Sequence, residues 1–399
     1  MASINPRKNK DEEIISYTIR VYQGYDSGGK RLKPHTTTYK PKAGMSAKQI
    51  EKELAQTAFQ FEEQCKNGLI SSNPKLTLND FLPQYFDIMK ERLSPTTYEF
   101  YERVAELHIS PLLGNLKLKD IKPVHIQNFL KQMTTHKVKE GVKKRSASTV
   151  RRYLTVLQSV LKQAFKLELI SSNPAAAEKL TIPKVVQPKM EIFTKQQAAE
   201  MLACLEKEEF QFQVYVQLAL ITGARRGELG GLKFSDFDCD NNKLTIERSA
   251  YKIKGQPTQT KSPKDDEIRT IAVNRNCIEL VLTLKEEKRR EAERLGSKWQ
   301  EGDWLFTQWN GEIMNPHTPT KQFSKFLAKN NLKHIKLHGT RHTSATLLIY
   351  GGANIKQVQS RLGHSDLETT QKYLHYIAEA DVEAVNILEG MLGITSGEK

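Results

Sequence analysis

A chain of 399 residues with 61 Lys/Arg against 46 Asp/Glu, a net charge of +15 and a pI near 9.4, is too long for one ordinary core and divides into two or three domains. Its 38% hydrophobic and 27% charged residues fit a folded, mostly helical or α+β protein, and the basic excess calls for a polyanionic partner held by phosphate neutralisation and counterion release. Cys65, Cys204, Cys239 and Cys277 lie far apart without a C-x-x-C pair, which excludes a disulfide framework or a zinc site and fits a reducing cytosol. The longest apolar runs are too short to span a bilayer, and the polar N-terminus lacks the core of a signal peptide, so an intracellular protein is expected.

In chain order, residues 1–13 are charged and read as disordered. IISYTIRVYQG then alternates, with Ile15, Tyr17, Ile19 and Val21 on one face, and after the DSGGK turn RLKPHTTTY returns as strand sequence. Ser46 and Gln49 form a capping box that opens a helix through Ile50, Leu54, Phe59 and Phe61. The fold class expected of residues 1–70 is a small three-stranded sheet backed by a helix, two of the strands being these segments. Its basic character suits either a sheet that enters a DNA groove or an accessory domain with a solvated face.

SSNPKLT reads as a linker, and residues 76–172 show an all-helical pattern. Helices are expected over 78–90, from Ser94 with Pro95 at its first position, over 122–133, and from Ser146 with Val150, Leu154, Leu157, Leu161 and Phe165 at helical spacing. Lys137, Lys139, Lys143, Lys144, Arg145, Arg151 and Arg152 crowd a loop-to-helix junction. A charge run is ordinarily a solvated face, but backbone N–H groups and cations share a phosphate at such a junction, which favours DNA contact. Residues 173–193 hold three prolines and little periodicity and read as an interdomain linker.

The third segment, 194–399, opens with a Thr194/Gln197 capping box. A buried helix over 214–222 ends at TGARRGEL. Leu244, Ile246 and Arg248 read as a strand, and residues 251–261 and 269–273 as a hairpin joined by SPKDDE. Helices follow over 277–295 and 319–330, separated by a strand-like WLFTQWNGEIMNP. The stretch 337–375 carries His338, Arg341, His364 and Tyr373 in short helical segments, and an amphipathic helix over 381–392 closes the chain. A guanidinium and two imidazoles converging on a phosphate, beside a phenol able to attack it, suit phosphoryl transfer. His338 and Arg341 share a helical face at i, i+3 spacing, whereas the adjacent His342 reads as structural. A Ser365/Glu368 capping box would start the helix that carries Tyr373, with Tyr376 as its rival.

TGARRGEL, the basic hairpin, HGTRHT, LGHSD and TTQKYLH, in this order and spacing, resemble the tyrosine recombinase (integrase) family over about residues 76–380. The N-terminal sheet resembles, more loosely, the arm-binding domains of phage and conjugative-transposon integrases. The resemblance implies a helical core-binding domain (76–172) of SAM-like type and a mixed α+β catalytic domain (194–399), forming a C-shaped clamp on DNA. It implies that Arg225 and Arg341 hold the scissile phosphate, with His338 and His364, Arg226 being the structural neighbour; Glu228 suits either a carboxylate that orients Arg225 or a favourable charge at a helix N-terminus. Tyr373 would attack to give a 3′-phosphotyrosyl link and a free 5′-hydroxyl, which Lys261 of the hairpin protonates, Lys264 being second choice. The phosphotyrosyl bond conserves the energy of the broken diester, so neither ATP, a metal nor any cofactor is called for.

Partners implied are double-stranded attachment sites, a Holliday junction, three further protomers, an excisionase and a host DNA-bending protein; the 381–392 helix suits either docking on a neighbouring protomer or packing on its own domain. The expected compartment is the nucleoid-bearing cytoplasm of a prokaryote, with no membrane contact. A type IB topoisomerase-like relaxing enzyme and a catalytically inert DNA-binding accessory protein are the alternatives.

Overall fold

The computed structural model describes residues 2–9, 12–22, 24, 29, 31–42, 44–66, 75–135, 145–186, 190–263, 267–363 and 373. The chain falls into two compact units, Met1–Gln187 and Pro188–Lys399.

The first unit begins with an antiparallel sheet in the order β1 (Ser3–Lys8), β2 (Ile14–Val21), β3 (His35–Tyr39), with Ser3 opposite Arg20 and Val21 opposite His35. The expectation of disorder through residue 13 is wrong for 3–8. This strand is held by its backbone ladder to β2 while nearly all its side chains stay exposed, so no alternation marks it. Pro6 is tolerated because the strand lies at the sheet edge. Behind the sheet, α1 (Ala47–Lys66) starts at the expected capping box: Gln49 N donates to Ser46 Oγ at 3.4 Å and Ser46 N to Gln49 Oε1 at 2.9 Å. Leu54, Ala58 and Phe61 pack on Ile19 and Val21. Phe59 and Ile15 are instead exposed, at 65% and 51%. The i, i+4, i+7 face runs through Ala58, whose small side chain gives a weak apolar signal beside the large Phe59.

A separate helical core is built from α2 (Leu78–Met89), α3 (Pro95–Val104), α4 (Ser110–Leu113), α5 (Pro123–Thr135) and α6 (Ala147–Lys166). Val150, Leu154, Leu157 and Leu161 of α6 are buried as expected, but Phe165 is half-exposed and Ala164 takes the inward place. Ala175 is buried in this core and Leu180 and Ile182 pack against it, so the proline-bearing stretch lies along the helices.

The second unit contains α7 (Lys195–Leu205), α8 (Phe210–Thr222), α9 (Arg226–Gly230), the sheet β4 (Phe237–Asp238), β5 (Lys243–Ile246) and β8 (Arg269–Ala272), the ribbon β6 (Ser249–Lys252) and β7 (Thr258–Lys261), and helices α10 (Arg275–Leu295), α11 (Thr318–Lys329), α12 (His338–Tyr350) and α13 (Ile355–Leu362). Here the expected hairpin is corrected. Residues 251–261 fold on themselves around Gly255, whose φ of +79° reverses the chain, and Tyr251 pairs with Gln259. β8 pairs with β5, Leu244 opposite Ile271, and this pairing buries Leu244, Ile246 and Ile271 in the core. Arg248 does not continue β5; its guanidinium pairs with Asp236 at 2.7 Å. The WLFTQWNGEIMNP stretch makes two isolated bridges, Lys233 with Trp304 and Thr307 with Ile313, while Leu305 and Phe306 fill the core. No helix among the described residues is long and apolar enough to cross a membrane. The expected 381–392 helix and the Ser365/Glu368 box lie outside the described residues.

Candidate active site

The site begins where α8 must stop. Burial around most of α8 fixes its last turn, and Thr222 Oγ1 both donates to Leu218 O (2.6 Å) and accepts from Ala224 N (3.1 Å). Gly223 follows at φ +63°, the left-handed region that glycine enters without strain, and a Cβ there would lie 2.4 Å from Leu362 Cδ2. The reversal leaves Arg225 as the N-cap of α9.

Glu228, 1% exposed, receives Arg225 N (2.8 Å), Arg225 Nη1 (2.8 Å) and Arg269 Nη2 (2.6 Å). Burial pushes its carboxyl pKa up, but hydrogen bonding and charge from Arg269, then from Arg225, outweigh that and hold it below the usual range. Thus fixed, Arg225 Nη2 donates to Gly363 O at 2.6 Å, and Arg269 Nε donates to Arg361 O at 3.1 Å. Arg361 reaches back to Ala272 O and Ile221 O at 3.0 and 2.9 Å. One carboxylate and three guanidiniums therefore lock α9, β8 and the end of α13 together.

Facing them, α12 presents His338, Arg341 and His342. Arg341 is 2% exposed, donates Nη1 to Gly223 O (2.7 Å), and keeps Nη2 enclosed without an acceptor among the described residues. Burial, then repulsion from Arg225, lowers its pKa to about 10. His338 lies at the exposed start of the helix. Desolvation of the ring against the site, then the charges of Arg341 and Arg225, lower its pKa, which favours the neutral imidazole at pH 7. His342 meets His338 edge to face at 4.7 Å and holds Tyr373 Oη 3.0 Å from its Nδ1. Tyr373, 2% exposed, packs with Ala345, Val358 and Leu362. Burial raises its pKa while the positive charge of Arg341, then of Arg225, pulls the other way. An enclosed guanidinium N–H without an acceptor, a second guanidinium and a phenol beside them make a place for an anion next to a nucleophile.

The structure thus brings Arg225, His338, Arg341 and Tyr373 together. His364 follows Gly363 in sequence but lies outside the described residues, as do Lys264 and Tyr376. Lys261 ends β7 with its Nζ 5.6 Å from the Tyr251 ring centre. That ribbon is seated on α9: a Cβ on Gly227 would come within 2.3 Å of Ser249 Oγ and 2.9 Å of Ala250 O. Arg226 is exposed and meets His317 at 3.2 Å. In the first unit, Arg152 stacks on Phe100 (4.2 Å) and Arg145 lies 6.0 Å from the Tyr153 ring, with Arg151 exposed nearby; Lys137, Lys139, Lys143 and Lys144 lie outside the described residues. Sequence reasoning missed Arg269 and Arg361 and set His342 aside. Arg269 had a signal, since it shares the inward face of β8 with Ile271. Among the described residues, no group of three His, Cys, Asp or Glu is placed to hold a metal ion.

The family model described as the phage integrase family matches residues 191–379, and that of the phage integrase N-terminal SAM-like domain matches 77–134, together more than half of the chain. The chain belongs to the phage integrase family of tyrosine recombinases. This tyrosine recombinase is 25% identical over 395 residues to the XerC-like tyrosine recombinase of Caldanaerobacter subterraneus subsp. tengcongensis, covering 94% of this chain and 96% of that one. It is 23% identical over 387 residues to the ICEBs1 integrase of Bacillus subtilis, with 96% and 99% covered. Among solved structures, the Tn1549 transposon integrase in complex with a circular intermediate DNA matches with a TM-score of 0.62 at 20% identity, over 75% of this chain and 95% of that one. A λ integrase dimer bound to a COC′ core site matches at 0.54 and 18%, over 92% and 94%. At these identities the recombinase shares their fold.

Proposed function

We propose that this tyrosine recombinase is the integrase of a mobile element, which cuts and rejoins double-stranded DNA through a 3′-phosphotyrosyl intermediate on Tyr373 and passes through a Holliday junction. The observation that carries the reading is the convergence of Arg225, His338 and Arg341 around a buried Tyr373, with Arg341 Nη2 left without an acceptor among the described residues. The scissile phosphate takes that N–H and the solvent-facing side of the Arg225 guanidinium. Two guanidinium forks then stabilise the pentacoordinate phosphorane better than point-charge ammoniums would. His338, neutral at pH 7, donates a hydrogen bond to a non-bridging oxygen, and His364 is assigned the same role. Lys261 protonates the departing 5′ oxygen.

Residues 76–172 and 194–399 are assigned to the two halves of a clamp on duplex DNA, joined by 173–193, and residues 1–70 to arm-type site binding. Arg145, Arg151 and Arg152, with Lys137, Lys139, Lys143 and Lys144, are assigned to phosphate contacts. Stacking of Arg145 and Arg152 on aromatic rings supports this, because it pre-orients a guanidinium whose edge still donates. A homotetramer docked through residues 381–392, an excisionase, a host DNA-bending protein and a cytoplasmic, nucleoid-associated setting complete the proposal.

The deciding experiment incubates the full chain with a nicked suicide duplex carrying the junction sequence of its element. An SDS-stable adduct whose DNA-linked peptide contains Tyr373 is expected. No adduct, or one mapped to another residue, defeats the reading, and relaxation without intermolecular products favours a topoisomerase. Arg341→Lys is expected to slow adduct formation by about 10²-fold, because the ammonium cannot reach Gly223 O and the phosphate together. Single-turnover rates check it.

A further inference from the structure

Tyr373 Oη touches His342, and the reading above gives that histidine no role. We propose that His342 is the general base of strand cleavage: its Nδ1 takes the proton of Tyr373 Oη as that oxygen attacks the scissile phosphorus. The inference rests on the recombinase reading of the site.

Three observations support it. The Nδ1–Oη distance is 3.0 Å, within hydrogen-bond reach, so proton transfer needs no rearrangement. Arg341, which acts on Tyr373 by charge and by a hydrogen bond, and Arg225, which acts by charge, are guanidiniums, which donate and do not accept. His342 is also held between two anchored neighbours: Arg341 is tied to Gly223 O, and Thr343 Oγ1 accepts Phe193 N at 3.0 Å and donates to Gly339 O at 2.8 Å. A base placed on so fixed a helix turn keeps its aim.

Acidity fits once the reaction is followed step by step. Burial, then His338 and Arg341, holds the His342 pKa near 4, so the ring is neutral at pH 7, and the base role assigns it the Nε2–H tautomer, whose Nδ1 lone pair faces Oη. In the resting protein the proton stays on the phenol. As the Oη–P bond forms, that oxygen changes from a phenol to a protonated phosphate ester, and its acidity passes that of the imidazolium during the step. The phosphodiester's negative charge beside Arg341 also offsets the cation that disfavours imidazolium. In balance, the Oη–H bond breaks and Nδ1–H forms, the Oη–P bond forms and the P–O5′ bond breaks, and the 5′ oxygen takes a proton from Lys261. On rejoining, the incoming 5′-hydroxyl attacks phosphorus, its proton returns to Lys261, and His342 gives its proton back to Oη.

The test uses the full-length enzyme on suicide duplexes with either an ordinary scissile phosphate or one whose bridging 5′ oxygen is sulfur. A thiolate leaves without protonation, so loss of the leaving-group acid is rescued by sulfur and loss of the nucleophile's base is not. His342→Asn, which keeps an acceptor but cannot take a proton, is expected to cleave both substrates about 10²-fold more slowly at unchanged DNA affinity and melting temperature. Lys261→Ala is expected to recover on the sulfur substrate. Wild-type rates for His342→Asn, rescue of it by sulfur, or a parallel loss of stability or affinity overturns the proposal while the wild-type adduct keeps the recombinase reading intact. A measurement without any variant serves as well: wild type on the sulfur substrate is expected to retain a normal solvent isotope effect, and its absence overturns the base role.

Discussion

Tyr373→Phe will form no covalent adduct with a suicide duplex and will still bind it. Phenylalanine fills the same pocket among Ala345, Val358 and Leu362, so the loss is confined to one oxygen and its contacts, those with His342 and Arg341 among them. The stability change is on the order of 1 kcal/mol, the net worth of a hydrogen bond. The chemical change is much larger. Without Oη, only water remains to attack a phosphate that the arginines still polarise, and single removal of a nucleophile from an assembled site lowers rates by on the order of 10⁴-fold or more. Adduct formation on denaturing gels, beside DNA affinity by fluorescence anisotropy, checks both halves. A persisting adduct would move the nucleophile to Tyr376.

Glu228→Gln is the second large effect, and it acts first on stability. A neutral amide leaves the 7%-exposed Arg269 side chain without its carboxylate and frees Arg225 from its seat. Removing one partner of a buried ionic group costs about 3 kcal/mol or more, which for a unit the size of Pro188–Lys399 is a fall in melting temperature of about 6–12 °C. The folded-state pKa of Glu228 is depressed, so its contribution is complete above the unfolded carboxyl pKa of about 4.3 and is lost as pH falls through the folded value. The gap between wild type and Glu228→Gln should therefore be widest near neutrality and close in acid, which thermal melts across pH 3–7 would show. Cleavage falls as well, because Arg225 loses the carboxylate that aims it at Gly363 O. A variant equal to wild type in both stability and cleavage would remove Glu228 from the account.

Much of the architecture was legible because burial writes a period into sequence. Leu54 and Phe61, and Leu154 and Leu161, mark inward faces, and the Ser46/Gln49 and Thr194/Gln197 boxes place helix starts to the residue. Where side chains stay mostly exposed, that signal fades. β1 is held by main-chain hydrogen bonds alone, and the 251–261 ribbon is folded by a turn at Gly255. Phe59 and Phe165 show the converse error, an aromatic at roughly helical spacing that the neighbouring alanine displaces from the core.

The site divides the same way. The sequence by itself determined the chemical groups and their order: Arg225 in TGARRGEL, His338 and Arg341 on one turn, and Tyr373 downstream. Local spacing and backbone geometry are properties of a few adjacent residues, so they can be read from the chain. Only the tertiary structure decided what those groups touch. It made Arg269 the second clamp on Glu228 across 41 residues, brought Gly363 O to Arg225 across 138, and set His342, rather than His338, against the phenol. Such contacts depend on how α8, α9, β8, α12 and α13 pack, a sum over the whole core, and no local pattern encodes it.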